Sequence, residues 1–244
     1  MAISSATKSD KHRSSGRVTP WMWMRTMFVI GFVPALALFL PAWTLNWPMA
    51  WLYVALNIFF FAGSRAIVAR VHPDTLAERG KMLDHADAKK WDRTLSVSVG
   101  LLGPLATYIL AGLVHRYGWG VDVPLWAQLV ALGVYAVCYV IGSWALVANR
   151  FFSGVVRIQI DRGHKVVSSG PYAIVRHPGY SSAAISYLAL PILLGAYWAI
   201  APALVTIALL IVRTALEDRT LRAELPGYEE YTQKTRYRLI PGIW

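Results

Sequence analysis

The chain has 244 residues, of which 56% are hydrophobic and only 15% charged, and its formal net charge is +11. An ordinary soluble domain carries about 25% charged residues, and one of this length has no need of repeated uninterrupted apolar runs. The basic excess lies in the segments between apolar runs and forms no single face, which argues against a nucleic-acid-binding protein. A lone cysteine, Cys138, inside an apolar run excludes an intrachain disulfide and any Cys-based zinc or redox motif.

Residues 1–20 form a polar tail with Lys8, Lys11, Arg13 and Arg17. The apolar run after it is long enough to read as a retained span and not as a cleaved leader. A spanning helix needs about 20 mostly apolar residues. Residues 21–43 supply the first, with Arg25 near enough to its end to snorkel, and residues 47–68 the second. Residues 69–94 are dense in charge and read as an extramembrane loop. Residues 95–114 and 125–148 supply a third and a fourth span, and the link between them holds only Arg116 and Asp122 as charges.

Residues 149–180 are polar and rich in Gly and Pro, so their backbone should be irregular. Residues 181–212 are apolar for too long to be one span. Pro191, Gly195 and Pro202 predict a tight hairpin of two short spans. A polar, amphipathic tail broken at Pro226-Gly227 follows. Placing the N-terminus, the 65–93 loop, the 149–176 segment and the tail on one side of the membrane collects there every Lys and Arg except Arg116. By the positive-inside rule that side is cytoplasmic. The expectation is an all-α integral membrane fold of about six transmembrane helices. A cytoplasmic C-terminal helical segment completes it, in a multi-pass protein of the bacterial inner membrane.

The spans themselves are nearly free of ionisable groups, which weakens a channel or pump reading. No dinucleotide fingerprint, phosphate loop or His-Glu-x-x-His motif is present. Chemistry is therefore sought in residues 162–180. Pro178 disfavours helix at His177 and suits the first turn of the next helix. Arg176 and His177 then sit at the mouth of the hairpin, where a helix N-terminus favours anions. Past the hairpin's other end come Arg213, Glu217, Asp218 and Arg219. Arg213 and Glu217 are four apart and share a helix face. The residues alone leave open whether they form a surface ion pair or a charged pocket.

The run Gly170-Pro171-Tyr172 through Arg176-His177-Pro178-Gly179-Tyr180, with Glu217-Asp218, Tyr228, Tyr231, Arg236 and Leu239-Ile240-Pro241, resembles the isoprenylcysteine carboxyl methyltransferase family, which is related to phospholipid methyltransferases. The resemblance is strongest over 157–244. Before that, Leu76-Ala77-Glu78-Arg79-Gly80 and Lys90-Trp91-Asp92-Arg93 are similar to linkers of bacterial members. It implies a membrane methyltransferase that uses S-adenosylmethionine, needs no metal and takes a lipophilic acceptor from the bilayer, such as the carboxylate of an isoprenylcysteine.

Residue by residue, the resemblance places the cofactor against His164, Val166, Gly170, Pro171, Tyr172, His177, Pro178, Tyr180 and Glu217, with Tyr228 and Tyr231 closing the pocket. It assigns the acceptor's carboxylate to Arg176 and Arg213. The catalytic region would be 149–244, with its cofactor loop at 157–180. Members acting on prenylated proteins tend to carry a longer acidic run where this chain has only Glu217-Asp218. Two other classes stay open: an NADPH-dependent membrane reductase of the sterol reductase type, and a non-enzymatic lipid-binding or transport protein.

Overall fold

The computed structural model describes residues 20–80 and 87–244, without the side chains of 20–27, 29 and 77. Residues 1–19 of the basic tail expected over 1–20, and the snorkelling of Arg25, lie outside the described residues. Those described are helical or irregular, with no strand among them.

Among the described residues nine α-helices follow in order: α1 Pro20–Ala42, α2 Pro48–Val71, α3 Pro73–Gly80, α4 Lys90–Val97, α5 Gly103–Tyr117, α6 Leu125–Ala148, α7 Pro178–Leu193, α8 Ile200–Glu224 and α9 Tyr228–Lys234. A π turn, Ser98–Leu102, joins α4 to α5 in one continuous helical stretch. Four stretches among the described residues are long and apolar enough to cross a bilayer: Pro48–Val71, Lys90–Tyr117, Leu125–Ala148 and Tyr197–Glu224. Ile30–Ala42 in α1 is a shorter apolar stretch. Their outward faces carry large apolar side chains exposed far beyond what a water-soluble surface tolerates, such as Phe59 at 73% and Trp126 at 69%. The chain is a multi-pass membrane protein.

Two boundaries differ from expectation. The third helical stretch starts at Lys90, inside the segment read as a polar loop, because Asp92 is buried by ion pairing instead of solvated. Residues 181–212 are not two short spans. α7 is a short helix of 16 residues and α8 a long one of 25, running unbroken past Val212 to Glu224. The break lies at Leu194–Ala196, where Gly195 adopts φ +67°. Pro191 stays inside α7. Pro202 falls in the first turn of α8, where its missing N–H deprives the helix of nothing.

The apolar centre combines α1, α2, α5, α6 and α7 through Leu38, Tyr53, Ala111, Tyr135 and Leu193. Gly112 lets α5 approach α1 closely, since a Cβ there would lie 2.4 Å from the Leu38 carbonyl oxygen.

The inter-helix links sort to two ends. At one end Trp47 stacks on His115 at 4.1 Å, the Arg116 guanidinium lies 5.4 Å from the Trp43 ring, and Gly120 abuts Trp198. At the other, ion pairs Arg162–Asp74, Arg157–Glu78 and Lys89–Glu224 tie together residues 72–80 and 87–89, residues 149–177 and the end of α8.

Candidate active site

Between α6 and α7 the backbone runs from Asn149 to His177 with only two short 3-10 turns, Ile160–Arg162 and Gly170–Ala173. Side chains from elsewhere hold this segment in place. Arg157 is buried and donates to Glu78 at 2.8 Å, Asp87 at 2.9 Å and Asp161 at 2.9 Å. Burial lowers its proton affinity, but these three carboxylates more than reverse that and raise its pKa. Arg162 donates to Asp74 at 2.7 Å, to the Arg150 carbonyl at 2.7 Å and to the Gln159 side chain. Gln159 in turn donates to the Phe151 carbonyl at 2.7 Å.

Two fully buried carboxylates anchor α4 and α8. Asp92 accepts from Arg213 Nε at 2.7 Å and from the Val156 backbone at 2.6 Å. The same guanidinium donates to the Gly154 carbonyl at 3.0 Å. Asp218 accepts from Arg176 Nε at 2.7 Å and Nη2 at 3.1 Å, from Arg238 at 2.9 Å and from Tyr228 at 3.1 Å. His177 Nε2 lies 3.4 Å from the same oxygen that Tyr228 uses. Arg176 Nη1 donates to the carbonyls of Thr235 and Arg236. The backbone N–H groups of Arg176 and His177 donate to the carbonyls of Tyr237 and Arg238 at 2.9 Å each. The C-terminal segment is thereby strapped along the start of α7.

These anchors frame a cleft of about 800 Å³, open mouth included. That is ample for a small polar cofactor, since ligand pockets run about 300–1,000 Å³. Of the residues singled out from sequence, His164, Val166, Tyr172, Arg176, His177, Tyr180, Glu217, Tyr228 and Tyr231 all line it. Gly170, Pro171, Pro178 and Arg213 are not among its lining residues. Gly170 and Pro171 open the 3-10 turn that carries Tyr172. Pro178 opens α7.

Arg176 reaches the cleft wall with four of its five donors already engaged, and Arg213 is bound to Asp92 and Gly154. Both expected acceptor-binding arginines are therefore held inside the frame. Sequence reasoning missed the wall from Asn149 to Val156, whose Phe152 packs so closely on Gly179 that a Cβ there would lie 2.9 Å from the ring. The Ser-Gly pair at 153–154 was a signal of irregular backbone but gave no hint of which side chains face the cleft.

The free chemistry of the cleft lies in few groups. Glu217 accepts from Tyr180 at 2.6 Å, which fixes one carboxylate oxygen. Tyr231 donates to the Tyr172 carbonyl at 2.6 Å, and burial pushes its pKa up to about 12. His164 Nδ1 accepts from the Gln159 N–H at 3.3 Å, so the neutral ring carries its proton on Nε2. Burial, reinforced by the charges of Arg162 and Arg157, pushes His164 down to about 4. It is a neutral donor at physiological pH. The cleft thus offers one fixed carboxylate, one imidazole donor and an aromatic floor. No group of three His, Cys, Asp or Glu that could hold a metal ion occurs among the described residues.

A second cavity, about 840 Å³ with its opening, lies among α2, α5, α6 and α7. Its walls are mostly aromatic and apolar, including Tyr53, Phe61, Tyr108, Tyr135, Tyr139 and Leu190. Phe152 lines both cavities and is their shared wall.

A model of the isoprenylcysteine carboxyl methyltransferase (ICMT) family matches residues 129–223. That interval runs from α6 through the irregular segment to the end of α8. Two curated relatives, from Oryza sativa subsp. indica and Oryza sativa subsp. japonica, are each described as "Probable protein-S-isoprenylcysteine O-methyltransferase". Each is 29% identical over 188 residues, covering 76% of this chain and 92% of its own.

Proposed function

We propose that this chain, a methyltransferase whose residues 129–223 match the isoprenylcysteine carboxyl methyltransferase family, binds S-adenosylmethionine in the polar cleft and that a lipophilic carboxylate reaches it from the bilayer. The observation carrying this reading is that one residue, Phe152, lines both the polar cleft and the aromatic cavity among the helices. A water-borne donor and a membrane-borne acceptor need two such compartments in contact.

The cleft's residues suit the donor. The carboxylate of Glu217, fixed by Tyr180, would hold the donor's ammonium group. His164 Nε2–H would donate to its carboxylate. Tyr172, Tyr228 and Tyr231 would pack the adenine. Bound there, the donor supplies a methyl group already activated on a sulfonium. The enzyme's part is then alignment and exclusion of water, with reacting atoms about 3–3.5 Å apart. A carboxylate acceptor is already a nucleophile and asks for no general base.

Arg176 and Arg213 are positioning residues in this reading. They hold α8 and the irregular segment so that Glu217 and Tyr180 face the cleft. The topology proposed with it has six spans, α7 and α8 packed as a hairpin, and both termini on the cytoplasmic side. Segregation of the Lys and Arg residues to one end supports that orientation.

Calorimetry on purified protein in nanodiscs tests the donor. S-adenosylmethionine should bind saturably to wild type, and transfer of labelled methyl into a membrane lipid extract should yield a base-labile ester. Absence of any saturable binding would sink the reading.

A further inference from the structure

Among the described residues, the buried arginines of the charged end have carboxylate partners. Arg157 has three, Arg176 has Asp218 and Arg213 has Asp92. Arg79 is only half-buried, yet it lacks such a pairing among the described residues. Its Nη1 is shut off from solvent and makes no hydrogen bond. Its guanidinium lies 5.2 Å from the ring of Phe152, the wall between the two cavities. Near it on α2 stands Arg65, which lines the aromatic cavity with its guanidinium 4.4 Å from the Phe61 ring. No ion pair joins Arg65 to a carboxylate among the described residues.

Two half-buried cations with no anion between them among the described residues, beside an apolar cavity that Arg65 lines, carry a desolvation cost. Burial, and then the positive charge of Arg65 and Arg213, pushes Arg79 down to about 9. An anion arriving from outside the protein would offset the desolvation and the repulsion alike. α3, which carries Arg79, is fixed for this purpose. Asp74 is held by Arg150 and Arg162, the Thr75 hydroxyl donates to the Arg150 carbonyl at 2.7 Å, and Glu78 is held by Arg157. The guanidinium is therefore presented on a braced helix, with little ordering left to be done on binding.

We infer that Arg79, together with Arg65, is the anion seat for the acceptor, taking the carboxylate of an amphiphile whose apolar tail lies in the aromatic cavity. The inference rests on the methyltransferase reading above and adds to it the residues that recognise the acceptor. A planar guanidinium binds both carboxylate oxygens at once. Held there, a carboxylate would lie against Phe152, at the boundary of the donor cleft. Neutral analogues of the same tail would fill the cavity without relieving the charge, so the seat selects an acid over its amide.

The test uses the full chain in phosphatidylcholine nanodiscs without donor. The probes are an S-prenylated N-acetylcysteine and its carboxamide. Wild type should bind the acid at least tenfold more tightly than the amide. Arg79→Gln should abolish that preference, while its affinities for the amide and, by calorimetry, for S-adenosylmethionine stay within about twofold of wild type. Equal binding of acid and amide to wild type, or a preference surviving in Arg79→Gln, overturns the inference.

Should Arg79→Gln fail to fold, arginine-selective labelling of wild type with phenylglyoxal decides. The acid should protect Arg79 in the mass spectrum and the amide should not; equal labelling overturns the proposal. In discs containing phosphatidylglycerol, protection of Arg79 that the acid cannot alter would assign the seat to a bilayer headgroup and likewise overturn it. Failure of the methyltransferase reading looks different, as loss of S-adenosylmethionine binding in wild type whatever the acid-to-amide ratio.

Discussion

The two ends of the helical bundle are built on opposite principles. At one end short links are closed by rings: Trp47 on His115, Arg116 against Trp43, Gly120 against Trp198. At the other, long segments are closed by buried charge: Asp92 with Arg213, Asp218 with Arg176 and Arg238, Glu78 with Arg157. Ring contacts tolerate sliding and are individually weak. Buried ion pairs demand geometry and fail badly when one partner is removed. A site that must align a methyl group needs the second kind of construction, and an end that only turns the chain round can use the first.

The comparison predicts a graded set of outcomes. Asp218→Ala should have the largest effect. It strands the buried guanidinium of Arg176 and releases Arg238 and Tyr228, for about 3–5 kcal/mol of lost stability, read as a large drop in thermal midpoint in detergent. Asp92→Ala should follow closely for the same reason. Replacing Asp218 and Arg176 together by apolar residues should cost much less than either single change, which a double-mutant cycle would measure.

Glu217→Gln should sharpen the contrast from the functional side. It keeps the hydrogen bond from Tyr180 but removes the charge. S-adenosylmethionine should bind about ten- to a hundredfold more weakly, equivalent to ~1.5–3 kcal/mol for a charged hydrogen bond, with the thermal midpoint nearly unmoved.

Acid should act on the charged end through His164. Its pKa in the fold is about 4, below the ordinary value of 6.5, so the unfolded chain takes up the proton first as pH falls. Stability from this group is complete above pH 6.5 and is lost progressively down to about pH 4, with no further loss below. His164→Gln should flatten that part of a stability profile between pH 6.5 and 4. Smallest of all, Arg116→Ala at the aromatic end removes exposed cation–π contacts worth about 0.5–1 kcal/mol and should leave donor binding untouched.

Much of the membrane architecture was legible because apolar composition is a local property. The spans expected at 47–68 and 125–148 coincide to within a few residues with helices found at Pro48–Val71 and Leu125–Ala148. The cleft was legible in outline for a similar reason: Pro178 does begin a helix, and the Gly- and Pro-rich run before it is irregular. Charge pairing was not legible, because it joins residues far apart in the chain. Arg213 and Glu217 share the face that a spacing of four predicts, yet the first turns to Asp92 and the second to Tyr180. Nothing in the local sequence distinguishes Arg213, which has a buried partner 121 residues away, from Arg79, whose Nη1 has none. Asp92 looked like one more charge in a polar loop. Only the packing of α4 against α8 makes it a buried anchor.

The long reach of these anchors also sets an order of events in time. Thr75 meets Arg150 across 75 residues, Arg157 meets Glu78 across 79, Arg213 meets Asp92 across 121 and Lys89 meets Glu224 across 135. Closing loops of that length is slow, and the entropy lost is recovered only when the far partner arrives. The helices can form as they are synthesised, but α8 must be complete before Asp92 has its arginine and Lys89 its glutamate. A ribosome that has delivered the first six helices has made a membrane protein without a cleft, and the site comes into being only with the last quarter of the chain.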